Sequence, residues 1–173
     1  MAKFQIKETI LSSDVRTVRL GAGTGSSNNV DQKEVGKAVK FAGESRYDLC
    51  AAGDPIEAVV TSVEVGTYDG YSIGGIASRG FKEVTFDGLQ ATAGTGTVAV
   101  GDYVVVGTVV AKGTALSAPV KVCKATLQPG TTEAAAAADV NDHINAVKFL
   151  WRVVSLGSAG TGAVGTTGVI ERV

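Results

Sequence analysis

The stretch "VAVGDYVVVGTVVAKGTAL", Val98 to Leu116, decides the fold class. In "YVVVGTVV", Tyr103, Val105, Gly107 and Val109 fall on one face of an extended chain, and Val104, Val106, Thr108 and Val110 on the other, because successive strand side chains point to opposite faces. Valine, branched at Cβ, suits a pleated surface better than a helix. A strand apolar on both faces must be covered twice, by its own domain's second layer and by a helix, arm or neighbouring subunit. The Gly101–Asp102 step opens the run as a turn, since glycine accepts a positive φ and aspartate bonds its own backbone. Lys112 and Gly113 mark a second turn at its end.

Working outward, the same alternation of strand and turn recurs. "YDLCAA" (Tyr47 to Ala52), "PIEAVVTSVEV" (Pro55 to Val65), "YSIGGIAS" (Tyr71 to Ser78), "FKEVTF" (Phe81 to Phe86), "VKVCKATL" (Val120 to Leu127) and "VKFLWRVVSL" (Val147 to Leu156) are separated by Gly, Asp, Asn or Pro. With 23 glycines against 3 prolines in 173 residues, the chain reads as all-β: a small β-barrel or a jelly-roll-like β-sandwich. Its length suits one domain that buries roughly 70% of its unfolded surface. Gly53–Asp54 enters "PIEAVV" as Gly101–Asp102 enters "YVVV", an internal echo that suggests a duplicated hairpin. "TTEAAAAADVNDHINA" predicts one short alanine-rich helix lying as a lid across one end of the β-fold. Residues 1–29 read differently, with Phe4, Ile6, Ile10 and Leu11 leading into the hinge-like "LGAGTGSSNN". They are expected to form an extended N-terminal arm or edge strand, and residues 30–173 a single β domain.

A formal net charge of −1, from 16 basic and 17 acidic residues, leaves no electrostatic footprint for nucleic acid or anionic lipid. No apolar run reaches the roughly 18 residues of a membrane-spanning helix. "VRLGAGTG" lacks the third glycine of a dinucleotide fingerprint, having Ser26 there, and Gly36–Lys37 lacks the upstream glycine of a phosphate loop. His143 is the single histidine, and counting from Asp139 puts Ile144 and Leu150 where a calcium loop needs Gly and Glu. Cys50 and Cys123 sit in apolar strand-like runs as inert thiols, with no ligand spacing around them. Lys124 lies within a strand-like run rather than at the hairpin tip of a lipoyl-type domain. Glu57, Glu64, Asp69, Glu83 and Asp87 are scattered carboxylates, of which a pair could meet across strands. No metal site and no cofactor is expected.

With turns and strands laid out, the block "VGKAVKFAGESRYDLCAAGDPIEAVVTSVEVGTYDGYSIGGIASRG", then "VAVGDYVVVGTVVAKGTAL" and the closing "FLWRVVSLGSAGTGAVGTTGVIERV", resembles the small decoration (cement) proteins of tailed-bacteriophage capsids. The resemblance runs from Val35 to the end and rests on turn-and-strand patterns rather than a catalytic motif. It implies a structural virion protein and no enzyme, made in the host bacterial cytoplasm and placed on the capsid exterior. There it would assemble as a homodimer or homotrimer and bridge subunits of the major capsid protein. Phe4, Ile6, Ile10 and Leu11 of the arm, together with Trp151, are the expected interface residues. The alternative is a carbohydrate- or receptor-binding β-sandwich of a phage tail or cell surface, motivated by Tyr68 and Tyr71 in "GTYDGYS".

Overall fold

The computed structural model describes residues 15–21, 29–64, 71–125 and 151–173. Strands β1 (Val15–Leu20), β2 (Ala38–Gly43), β3 (Arg46–Leu49), β4 (Ala58–Glu64) and β5 (Ser72–Ala77) close into a barrel in the order β1-β3-β2-β4-β5. β1 runs parallel to β3 and every other pair is antiparallel. Alternation turns Leu20, Val39, Val60 and Ile76 inward to fill the barrel. The all-β reading therefore holds, with a barrel as its first half.

The second half holds β6 (Phe81–Leu89), β7 (Thr92–Ala93), β8 (Val104–Val106), β9 (Lys121–Lys124), β10 (Trp151–Ser155) and β11 (Thr167–Arg172). Its order is β10-β11-β6-β9-β8, with β7 paired on β6. The outer strands β8 and β10 approach each other at a Tyr103–Arg152 bridge. There Gly101 N–H donates to the Val153 carbonyl (2.8 Å) and Val153 N–H to that of Asp102 (2.9 Å).

Both halves are wired alike. In each, the first strand runs parallel to the third, the third pairs the second, the second meets the fourth, and the fifth lies between the fourth and the first. The registers agree residue by residue. Leu20 opposite Tyr47 matches Phe86 opposite Val122, Val39 opposite Leu49 matches Val104 opposite Lys124, and Val60 opposite Ile76 matches Val153 opposite Ile170. Even the register break recurs, between Val60 and Ser62 in β4 and between Val153 and Ser155 in β10. The chain is thus a tandem duplication of one five-strand unit.

One local device builds much of this. In Glu34–Lys37, Ala51–Asp54, Ala99–Asp102 and Ala163–Thr166 the fourth N–H returns to the first carbonyl, and the third residue is a glycine at φ +83° to +93°. These are type II turns, whose third position favours glycine. Each glycine N–H and the carbonyl of the residue after it then bond a single partner residue, respectively Val60, Val106, Val153 and Phe86. This is a glycine bulge, which bends the chain into the next strand. Gly53–Asp54 and Gly101–Asp102 are two of these four turns but occupy different places in the duplication. The true counterpart of Gly101–Asp102 is Gly36–Lys37, which likewise joins the second strand of its unit to the fourth. The echo in the sequence was one of turns, and the repeat unit is larger than a hairpin.

In the opening stretch, only Val104–Val106 is a strand, and all three valines are buried, so this strand is covered on both faces as expected. It ends at Gly107, where an added Cβ would stand 2.9 Å from the Asp87 carboxylate, and Thr108 N–H instead donates to Asp87 Oδ2 (2.7 Å). Beyond it Val109 is exposed, so the run is shorter as a strand than its valine pattern predicts. Within the segment assigned to an arm or edge strand, Val15–Leu20 is a stave paired on both sides. The alanine-rich helix and the arm positions Phe4, Ile6, Ile10 and Leu11 lie outside the described residues.

Candidate interaction surface

The second half packs its core from Val84, Phe86, Val104, Val122, Trp151 and Ile170, and Ala38, Cys50 and Ile56 of the first half join the same cluster. The halves are therefore one body with a shared apolar seam. Trp151, expected at an interface with a partner, is 0% exposed within this seam and has no surface to offer. Sequence position alone could not separate the two, because a tryptophan between Leu150 and Arg152 suits a core and an interface equally.

Polar struts lock the seam. The Ala51–Asp54 turn lays Gly53 and Asp54 against Val106, with Gly53 N–H to the Val106 carbonyl at 2.8 Å and Val106 N–H to the Asp54 carbonyl at 3.0 Å. The Asp54 carboxylate accepts the Ala51 N–H (2.6 Å) and holds Lys40 (2.6 Å), which keeps the Lys40 ammonium protonated to higher pH than usual. Glu34 is wholly buried, yet each oxygen is used. Oε1 accepts from Lys37 Nζ (3.2 Å) and Gly113 N–H (2.7 Å), and Oε2 from Asp31 N–H (3.2 Å). Lys37 Nζ also donates to the Ala111 carbonyl (3.0 Å), so this buried pair ties loop 107–120 to the first barrel. Arg172 adds a clasp from β11 to the Ser78 carbonyl (2.8 Å).

A cleft of about 520 Å³ follows the seam between β2, β3 and residues 106–112, with Leu49, Val106, Val109 and Val120 among its apolar walls. Of its three lysines, Lys37 and Lys40 are held by Glu34 and Asp54. Both cysteines are free thiols, pushed up to about 12 for Cys50 and about 11 for Cys123, first by burial and next by the nearby Asp54 and Asp87 carboxylates. At neutral pH they are protonated and poor nucleophiles. Among the described residues no three His, Cys, Asp or Glu side chains are placed to share a metal ion.

The remaining residues singled out from the sequence are dispersed. Asp87 is buried, and its carboxylate serves the Thr108 N–H and Lys121 (3.9 Å), while Glu64 and Glu83 are exposed on separate halves. Lys124 is the last residue of β9, with its ammonium on Asp102 (3.0 Å). Tyr71 carries the Arg19 guanidinium 3.4 Å from its ring centroid, on a face a sugar would need. Tyr68, Asp69 and His143 lie outside the described residues.

Two pairs of exposed apolar residues recur between the halves. Val15 and Phe81 open equivalent strands and are 45% and 41% exposed. Val35 and Val100 are exposed at the second position of equivalent turns, where the side chain projects outward. Sequence reasoning missed Phe81 and Val15 as a pair because the duplication that relates them is visible only in strand register. No family model, curated protein or solved structure matches the chain.

Proposed function

We propose that the chain is a structural decoration protein that binds the outside of a bacteriophage capsid, bridges subunits of the major capsid protein and stabilises the shell. It works by contact, as a homo-oligomer, and its partner is protein rather than nucleic acid or membrane. The observation that carries the reading is the tandem duplication, with an exposed apolar residue at the same place in each unit, Val15 and Phe81. A shell offers chemically identical subunits side by side, and a rigid body with two equivalent contact surfaces can engage two of them at once. Linking two weak contacts in this way raises avidity by roughly 10²- to 10⁴-fold over one.

The test is binding to undecorated mature shells. Purified protein should bind saturably, Val15→Asp or Phe81→Asp should weaken binding, and the double substitution should abolish it. Removal of residues 1–14 tests the arm while sparing β1, whereas deletion through residue 29 would remove a barrel stave and its core residue Leu20. Saturable binding that neither aspartate disturbs would overturn the two-surface reading, and no binding at all would overturn the function.

A further inference from the structure

Among the described residues, the two halves differ most in one connection. β2 and β3 are joined by Glu44 and Ser45 alone, both at positive φ (+51° and +59°), a tight hairpin. The equivalent strands β8 and β9 are separated by residues 107–120, which form no strand and are mostly exposed. This connection crosses the seam before it returns. Its roots are fixed in the second half, by Gly107 N–H on the Lys121 carbonyl (2.8 Å), Thr108 N–H on Asp87 Oδ2 (2.7 Å) and Thr85 N–H on the Val120 carbonyl (3.0 Å). Its tip is a turn closed by Thr114 N–H on the Ala111 carbonyl (3.2 Å), with Gly113 at φ +79°. That tip rests on the first half. Lys37 Nζ donates to the Ala111 carbonyl (3.0 Å), Gly113 N–H donates to Glu34 Oε1 (2.7 Å), and Leu116 Cδ1 lies 3.2 Å from where a Cβ on Gly36 would stand.

The receiving turn is matched to its load. Glu34 and Lys37 begin and end the turn equivalent to Ala99–Asp102, and they are 0% and 6% exposed, whereas Ala99 is exposed and Asp102 half-buried. Burying two charges is costly unless their remaining hydrogen-bonding groups are satisfied, and the tip supplies those partners. We infer that residues 107–120 are a hinged strap, latched at its tip by Glu34 and Lys37, whose release opens the seam cleft while both halves stay folded. The strap walls that cleft, with Val109, Val110 and Ala111 on its side and Ala38, Leu49 and Cys50 on the first half's. Segments with exposed hydrogen bonds and few buried apolar contacts open locally, well below the free energy of global unfolding. The tip is such a segment, held by hydrogen bonds to two side chains and by Leu116, while Ala38 and Ile56 keep the halves joined through their shared core.

Thiol labelling of the full chain tests the strap. Cys50 lines the cleft and reports its opening, and Cys123, buried on the Asp87 carbonyl (3.5 Å), is the internal control. An aromatic disulfide reagent is applied in buffer and in low urea, and peptide mapping reads the two thiols separately. In the wild type Cys50 should react faster than Cys123, at a rate nearly independent of urea, whereas Cys123 should follow global unfolding. Gly113→Pro removes the donated N–H and cannot adopt a positive φ, and it should speed Cys50 by about 10- to 100-fold with far less change at Cys123. Leu116→Ser, which leaves both charged groups in place, should act in the same direction. A Cys50 rate unchanged in both variants, or one that rises with urea as steeply as that of Cys123, would overturn the proposal. Shells take no part, so the result bears on the strap and is separate from capsid binding.

Discussion

Gly74 and Gly168 give the sharpest test of the duplication. They occupy the same position in β5 and β11, and a Cβ added at Gly74 would stand 2.2 Å from the Ser62 carbonyl oxygen and 2.6 Å from Leu20 Cδ1. At Gly168 the neighbours are the equivalents of those two, the Ser155 carbonyl oxygen at 2.5 Å and Phe86 Cζ at 2.3 Å. Non-bonded carbons prefer about 3.5 Å or more, so the methyl group of alanine must push two paired strands apart by about 1 Å, and a backbone carbonyl cannot rotate away. Overpacking of this kind costs about 1–3 kcal/mol or more, against roughly 0.4–1 kcal/mol that Gly→Ala recovers from the unfolded chain. A net loss of about 2 kcal/mol is expected for Gly74→Ala and Gly168→Ala alike, read in urea as a midpoint lower by about 1 M for a slope near 2 kcal/mol/M. Gly75→Ala is the control. Its new methyl group meets the side-chain ends Thr61 Oγ1, Ser62 Oγ and Val15 Cγ1, and the equivalent position already carries Val169. Wild-type midpoints for both variants would refute the packing argument, and a loss at only one would refute the equivalence.

Glu34→Ala leaves the Lys37 ammonium buried without its carboxylate and should cost about 3–5 kcal/mol in thermal or urea unfolding, while Glu34→Gln, which keeps an acceptor for Gly113 N–H, should cost less; equal losses would contradict the ion pair's part. The Cys50 thiol, pushed up to about 12 from an ordinary 9.0, gives a signed pH dependence. The folded chain keeps a proton that the unfolded chain loses, so this contribution is full below pH 9 and falls as pH rises toward 12, by about 1.4 kcal/mol at pH 10. Cys50→Ala should flatten that alkaline slope, and an unchanged slope would contradict it. Both thiols should react with a disulfide reagent slowly in the native protein and at once in denaturant.

How much of this was legible in the sequence follows from what each signal depends on. Strand alternation is local, so "YVVV", "AVVTSVE" and "FKEVTF" read correctly as strands, and Gly-Asp read correctly as a turn. "TVVA" misled because its valines obey the same pattern, while the chain is diverted by the Asp87 carboxylate that captures Thr108 N–H, a contact across 21 positions. The duplication was almost invisible because its equivalences are kept by register and not by residue type: Ala58 matches Trp151, and Tyr47 matches Val122. The residue-level trace was the glycine followed by a polar residue that closes four turns ahead of strands. Trp151 was misplaced because its position, like that of its counterpart Ala58, faces the core of its own half, which only strand register reveals.

The most direct test of the proposed capsid role is the composition of purified virions. Quantitative mass spectrometry of intact particles should find this chain at a fixed ratio to the major capsid protein, removable by surface proteolysis before the shell opens. Its absence from particles, or a trace amount varying between preparations, would contradict the account.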